Sequence, residues 1–200
     1  MLRLCGKRLG GSKLSSHVYE LRTYTVAPSN YDAFNQLTMK HMPQRPPIGS
    51  CQGYWTVQLG GVGRFVHIWR YENLQHRYKC RKDLLEDQEW RRSYMKPVDE
   101  LIDAKSNQVL RLVYREGNTS TKSYKYLMQI SPHRDIELSG PSAILAATFQ
   151  VIVGKDEGKY VHLVKGHNLD DVVPVNPTIG CYSKLLGPVR WSTTINCLWR

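Results

Sequence analysis

The stretch GYWTVQLGGVGRFVHIWRYEN, residues 53–73, constrains the fold more than any other part of the chain. Trp55, Val57 and Leu59 alternate with Tyr54, Thr56 and Gln58. After Gly60, Gly61, Val62 and Gly63, Phe65, His67, Trp69 and Tyr71 alternate with Val66, Ile68 and Arg70. Period-two patterning in aromatic and β-branched residues on both sides of a glycine turn predicts a β-hairpin. An isolated hairpin is marginal in water, so this one needs further strands and a covering layer. The glycine turn leads into a strand and not a helix, so it lacks the helix N-terminus that a phosphate-cradling loop requires.

The flanking segments supply the missing parts. HVYELRTYTV, residues 17–26, reads as a strand. Ser29 is a candidate N-cap, with Asp32 in the first turn of a helix carrying Tyr31, Phe34, Leu37 and His41 at helical spacing. The prolines of MPQRPPIGS end that helix. Asn73 is placed to cap a second helix from Leu74, charged enough to leave one side in solvent. Asp87 is placed to cap a short helix with Trp90 and Tyr94, and SNQVLRLVY reads as a closing strand. The order β-α-β-β-α-β is that of a ferredoxin-like unit, spanning residues 17–114.

Residues 115–142, which begin with the polar REGNTSTKS, read as a linker. At Ala143 the first pattern restarts: AILAATFQV is similar to VYELRTYTV, residues 155–167 suit a helix, and GCYSKLLG is similar to GYWTVQLG. TTINCLWR then pairs loosely with RFVHIWRY. On this alignment residues 143–200 are a second copy lacking its second helix and fourth strand. A sheet of order 4-1-3-2 without strand four leaves an edge bare, and a bare edge invites another chain. The expected fold class is therefore α+β, a tandem ferredoxin-like repeat of the dimeric α/β-barrel type with an incomplete second copy, and the expected state is a homo-oligomer.

Charge and cysteine usage narrow the function classes. Of a net charge of +11, Arg3, Lys7, Arg8 and Lys13 all precede the first acid, Glu20. Residues 1–16 are basic, serine-bearing and acid-free, with leucines between the charges, which is the composition of a mitochondrial transit peptide. The basic run around Lys79, Arg81, Lys82, Arg91 and Arg92 is interleaved with acids, so it reads as a solvated helix face and not a nucleic-acid track. It leaves room for peripheral contact with an anionic lipid surface. No apolar run approaches the roughly 20 residues that cross a bilayer. The five cysteines form no CxxC pair, which argues against a disulfide framework.

YELRTYTVAPSNYDAF, the hairpin and HRYKCRKDLLEDQEW together resemble the NipSnap family, most closely its third-homologue type. The resemblance covers about residues 17–112 and implies tandem ferredoxin-like repeats, a mitochondrial location in the matrix or at a membrane, and adaptor or scaffold roles in vesicular transport and mitochondrial quality control. It carries no catalytic residues and no cofactor. Other proteins are the partners it implies, with Trp90 and Tyr94 as contact candidates.

One constellation offers chemistry. Strand alternation puts Glu20, Arg22 and Tyr24 on one face, and Phe65, His67 and Trp69 on one face of a strand that neighbours the first. With these residues facing a barrel interior, Glu20, Arg22, Tyr24, His67 and Trp69 would form a polar pocket with aromatic walls, suited to a small acid or to acid–base chemistry at His67. This is the basis for an alternative function as a small-molecule-binding or oxygenase-like protein. The matching positions of the second copy, Leu145, Ala147 and Asn196, carry no such groups. The histidine spacings give no metal site: His162 and His167, five apart, do not share a helix face.

Overall fold

A computed structural model describes residues 16–45, 48–117, 125–138, 140–173 and 180–189. The first four strands are β1 (Val18–Val26), β2 (Ser50–Leu59), β3 (Arg64–Tyr71) and β4 (Ile102–Arg115). Helix α1 (Tyr31–His41) joins β1 to the hairpin. Helices α2 (Leu74–Glu86) and α3 (Gln88–Trp90), a single π-turn at Arg91–Met95, and α4 (Lys96–Leu101) lead to β4. The caps at Asn73 and Asp87 form as the sequence predicts: Asn73 Oδ1 accepts from the His76 amide at 2.8 Å, and Asp87 Oδ1 from the Trp90 amide at 2.9 Å. Ser29 does not cap α1, because Pro28–Asn30 form a 3-10 turn and Asn30 takes the cap position without a side-chain bond.

The second half differs from its sequence reading. Lys125–Ser131, inside the expected linker, is strand β5. Ile144–Val153 is β6, Tyr160–Gly166 is β7 in place of the helix expected over 155–167, and Tyr182–Pro188 is β8. Glycine chemistry explains the helix error: Gly154 and Gly158 have φ of 136° and 83°, which make 154–158 a hairpin turn, and Val161 and Leu163 then alternate with Tyr160, His162 and Val164. Within the described residues the hairpin that recurs is thus 144–166. Its second strand, KYVHLVK (159–165), parallels RFVHIWR (64–70) position by position, with Val and His identical and every other pair but Trp/Val conservative.

All strands are antiparallel and close into one barrel in the order β1-β3-β2-β8-β5-β7-β6-β4. Each half contributes the same internal order: β4-β1-β3-β2 from the first, β8-β5-β7-β6 from the second. Among the described residues the second half therefore has four strands, and its helix is a single turn, α5 (Leu169–Val172), after β7. No described strand is left with a free edge. The bare edge that predicted self-association is filled within the chain, by β2–β8 and β4–β6 pairing. The proposed counterpart of β3 at TTINCLWR lies outside the described residues.

Alternation sorts the side chains into two layers. Tyr19, Leu21, Trp55, Ile68, Leu110 and Phe149, with partners from all eight strands, fill the barrel interior. Tyr19 and Phe149 meet edge to face across the two halves, centroids 5.1 Å apart. Gly53 makes room for this layer, since a Cβ there would lie 2.0 Å from the Trp55 ring. Near one end Asp156 of the second half clasps Gln108 of the first, its carboxylate accepting from Gln108 Nε2 at 3.1 Å and its amide donating to Gln108 Oε1 at 3.0 Å. Phe34, Tyr54, Phe65, Trp69, Cys80 and Trp90 belong to a second core on the outside of the first four strands, beneath the helices.

Because one interior serves both halves, the chain should unfold as one unit. Leu186→Ala in β8 is expected to lower stability by about 2–5 kcal/mol. In urea titrations, Trp fluorescence and backbone circular dichroism should then shift together in a single transition; two separated transitions would contradict the shared core.

Candidate functional site

The helix-covered face of the first sheet carries the polar residues. Register pairs Glu20 with Trp69, Arg22 with His67 and Tyr24 with Phe65 across β1 and β3, and Tyr54 with His67 across β2 and β3. Side chains directly opposite on one face touch, and the Tyr54 and His67 rings stack at 4.5 Å and 17°. The sequence brought Glu20, Arg22, Tyr24, His67 and Trp69 to one face, and the structure does the same, but on the opposite side of the sheet from the one expected. They lie under the helices. Val66 and Ile68, expected under the helices, fill the barrel interior instead. The reason is that Tyr19 and Leu21 supply β1's apolar face, and the closed barrel admits only such a face.

Glu20 anchors this layer. It is completely buried, and its carboxylate accepts from Arg22 at 2.7 Å, Asn107 at 3.1 Å, Tyr71 at 3.3 Å, Arg81 at 3.5 Å and also from Arg77. Burial alone would raise its pKa, but Arg22 and Arg77 outweigh it and hold the carboxyl at about 2. Arg77 and Arg81 stand one turn apart on α2, so one helix face delivers both.

His67 is 2% exposed. Trp69 Nε1, which can only donate, gives its hydrogen to His67 Nδ1 at 2.6 Å. The imidazole proton must therefore sit on Nε2. Burial, seconded by the positive charge of Arg22, pushes the His67 pKa well below 6.5, so the ring is neutral. Its Nε2 finds no hydrogen-bond partner among the described residues, nor do Arg22 Nε and Arg45 Nη2. Arg45 lies flat on Trp69, 3.9 Å from its centroid, and donates to the Ile48 carbonyl at 2.7 Å.

These residues bound a cleft of about 740 Å³, mouth included, whose walls add Tyr24, Tyr54, Leu84, Trp90, Tyr94 and Val98. Trp90 and Tyr94, expected as partner contacts, are each 7% exposed and stack at 4.6 Å within the wall. Tyr94 shares a hydrogen bond with Thr38 at 3.4 Å, and burial raises its pKa. Sequence reasoning missed Arg45, Arg77 and Arg81. The four-residue spacing of Arg77 and Arg81 was a usable signal; Arg45, in a proline-rich loop, offered none.

Among the described residues the second half does not repeat this group. By register the counterparts of Glu20, Arg22, Tyr54, His67 and Trp69 are Leu127, Gln129, Thr148, His162 and Val164, which replaces the Leu145, Ala147 and Asn196 equivalence. His162 is fully buried and fully used: its Nδ1 accepts from Thr148 at 3.0 Å and its Nε2 donates to the His133 carbonyl at 3.1 Å.

An eight-stranded antiparallel barrel with a helix layer and a cationic, aromatic cleft on one half defines the class. The NIPSNAP family model matches residues 19–114. The chain is 35% identical over 96 residues to protein NipSnap homolog 3A of Homo sapiens and 34% identical over 96 residues to protein NipSnap homolog 3B of Homo sapiens. Each match covers 48% of this chain and 39% of the relative, so the chain spans about two fifths of the curated relatives' length. Over residues 19–114 the chain is similar to the NipSnap family. Among solved structures, an anthrone oxidase-like protein superposes with a TM-score of 0.60 over 88% of this chain and 92% of that one, at 7% identity. That likeness is one of fold, and it extends over both halves.

The site makes stability depend on pH with a definite sign. Below about pH 6.5 an unfolded histidine binds a proton that folded His67 refuses, so stability falls as pH falls from there. Glu20 acts lower down: its contribution is present above 4.5 and is lost as pH falls toward about 2. Unfolding free energy should decline below pH 6.5 by up to about 1.4 kcal/mol per pH unit for each such histidine. His67→Gln, which keeps an acceptor for Trp69, should reduce the slope; an unchanged slope would contradict the neutral, buried imidazole.

Proposed function

We propose that residues 19–114 form a small-molecule-binding module whose site is the cleft between sheet and helices, and that the second half is a helix-poor counterpart that completes the barrel. The observation that supports this most is the group of buried N–H donors without partners that line an open, aromatic-walled space. Buried donors are normally paired, and leaving one unpaired costs about 1–3 kcal/mol. A bound ligand would satisfy them. A fragment screen by thermal shift should yield stabilising compounds whose effect disappears in Leu84→Trp, which fills the cleft without touching its polar groups. No stabilising compound, or hits indifferent to Leu84→Trp, would overturn the reading.

The anthrone oxidase-like neighbour raises oxygenase-like chemistry in this cleft. Such chemistry would have to proceed without His67 as base, because the Nδ1 lone pair is already engaged by Trp69. His67 serves here as a hydrogen-bond donor.

A second reading, the adaptor role with protein partners in vesicular transport or mitochondrial quality control, draws support from a different surface. Leu74, Tyr78 and Leu85 are exposed and stand on one stripe of α2. Contacts would run through that stripe, since Trp90 and Tyr94 are inside. The described barrel strands pair with one another on both edges, so self-association would not run through those edges. Among the described residues no helix is long and apolar enough to cross a membrane.

The mitochondrial address is proposed for residues 1–16, of which 1–15 lie outside the described residues. Deleting 1–16 from a tagged chain should abolish import into mitochondria in cells, while unchanged location would defeat the assignment.

A further inference from the structure

We infer that the ligand of this cleft is a small aromatic carboxylate, its carboxyl group seated between Arg22, Arg45 and His67 and its ring among the aromatic walls. The inference rests on the cleft being a binding site and adds the chemistry of the occupant. It starts from charge. Glu20 is matched by Arg22, Arg77 and Arg81, and Lys105 pairs with Asp99 at 2.7 Å. Arg45 has no carboxylate within 4.0 Å among the described residues, and its guanidinium stacks on Trp69 inside the cleft. The lining therefore carries an excess of positive charge next to a low-dielectric wall, where an unpaired cation is costly and an anion is the natural complement.

Donor geometry selects among anions. Of the unpartnered groups that line the cleft, Arg22 Nε and His67 Nε2 offer one N–H each and Arg45 Nη2 offers two. A carboxylate has two oxygens that accept several such bonds at the cost of one buried charge. A phosphate monoester would bring close to two charges, where Arg45 is the one lining cation without a carboxylate partner among the described residues. Apart from those groups and the charged Arg81, Asp99 and Lys105, the walls are the rings of Tyr24, Tyr54, Trp69, Trp90 and Tyr94 and apolar side chains such as Leu84, which suit a flat, apolar body. His67 remains a donor throughout, because Trp69 fixes its tautomer.

The test compares benzoate, benzamide and phenyl phosphate on the full chain by calorimetric titration. Benzoate should bind about tenfold or more tightly than benzamide, the difference expected for hydrogen bonds to a charged group. Arg45→Gln should erase that preference by weakening benzoate far more than benzamide. A readout that needs no variant is the Arg22 Nε–H resonance, which should shift with benzoate and stay put with benzamide. Equal binding of benzoate and benzamide would overturn the anion assignment and leave the cleft a binding site. Tighter binding of phenyl phosphate would overturn the carboxylate. Binding of none of the three, with fragment hits in the cleft, would overturn the aromatic acid; binding of none with no fragment hits would overturn the cleft reading as well.

Discussion

Edge closure is the constraint on which the rest of this structure depends. A four-strand antiparallel sheet of order β4-β1-β3-β2 exposes the outer edges of β4 and β2, with their unpaired backbone groups. Here β6 and β8 cover both edges, and the cost of exposing them is removed inside a single chain. Closure also decides which face of each strand is inward. Once Tyr19, Leu21, Ile68 and Phe149 occupy the barrel, the alternate residues have to face outward, and Glu20, Arg22 and His67 are buried only because helices lie over them.

This division gives the two halves different tasks. In the second half the described residues outside the sheet are loops and one helical turn, and His162 on the outward face is satisfied by Thr148 and His133. In the first half a full helix layer stands away from the sheet, leaving a cleft whose floor is charged. The same strand order thus produces a filled face and an open one. Glu20 makes the open one stable: a buried carboxylate draws arginines from β1 and α2 to a single point and ties the helix to the sheet.

Much of the first half was legible in the sequence, and the reasons are local. The alternation around the glycine turn, the caps at Asn73 and Asp87, and the helical spacing of Tyr31, Phe34 and Leu37 each act within a few residues. The sidedness of Glu20, Arg22 and His67 was not legible, because both faces of β1 and β3 carry large apolar side chains, Tyr19 and Leu21 against Tyr24 on β1, Val66 and Ile68 against Phe65 and Trp69 on β3, and only the barrel distinguishes them. In the second half the error was one of register. AILAATFQV is apolar enough to pass for a first strand, and KYVHLVK, flanked by glycines, was taken for a weak helix. The match of KYVHLVK to RFVHIWR, with histidine at the same place, was the signal that fixes the alignment. Arg45 is held by its stacking on Trp69, a contact made across the fold and invisible in sequence order.

Closure of the barrel by both halves can be read directly from backbone amide hydrogen exchange under native conditions. Amides of β2 paired to β8, around Thr56 and Val57, and those of β4 paired to β6, around Leu110 and Leu112, should exchange as slowly as amides at the β1–β3 junction. Fast exchange on those outer edges, with protection confined to β1 and β3, would show two separate sheets and would remove the basis for assigning Glu20, Arg22 and His67 to the helix-covered face.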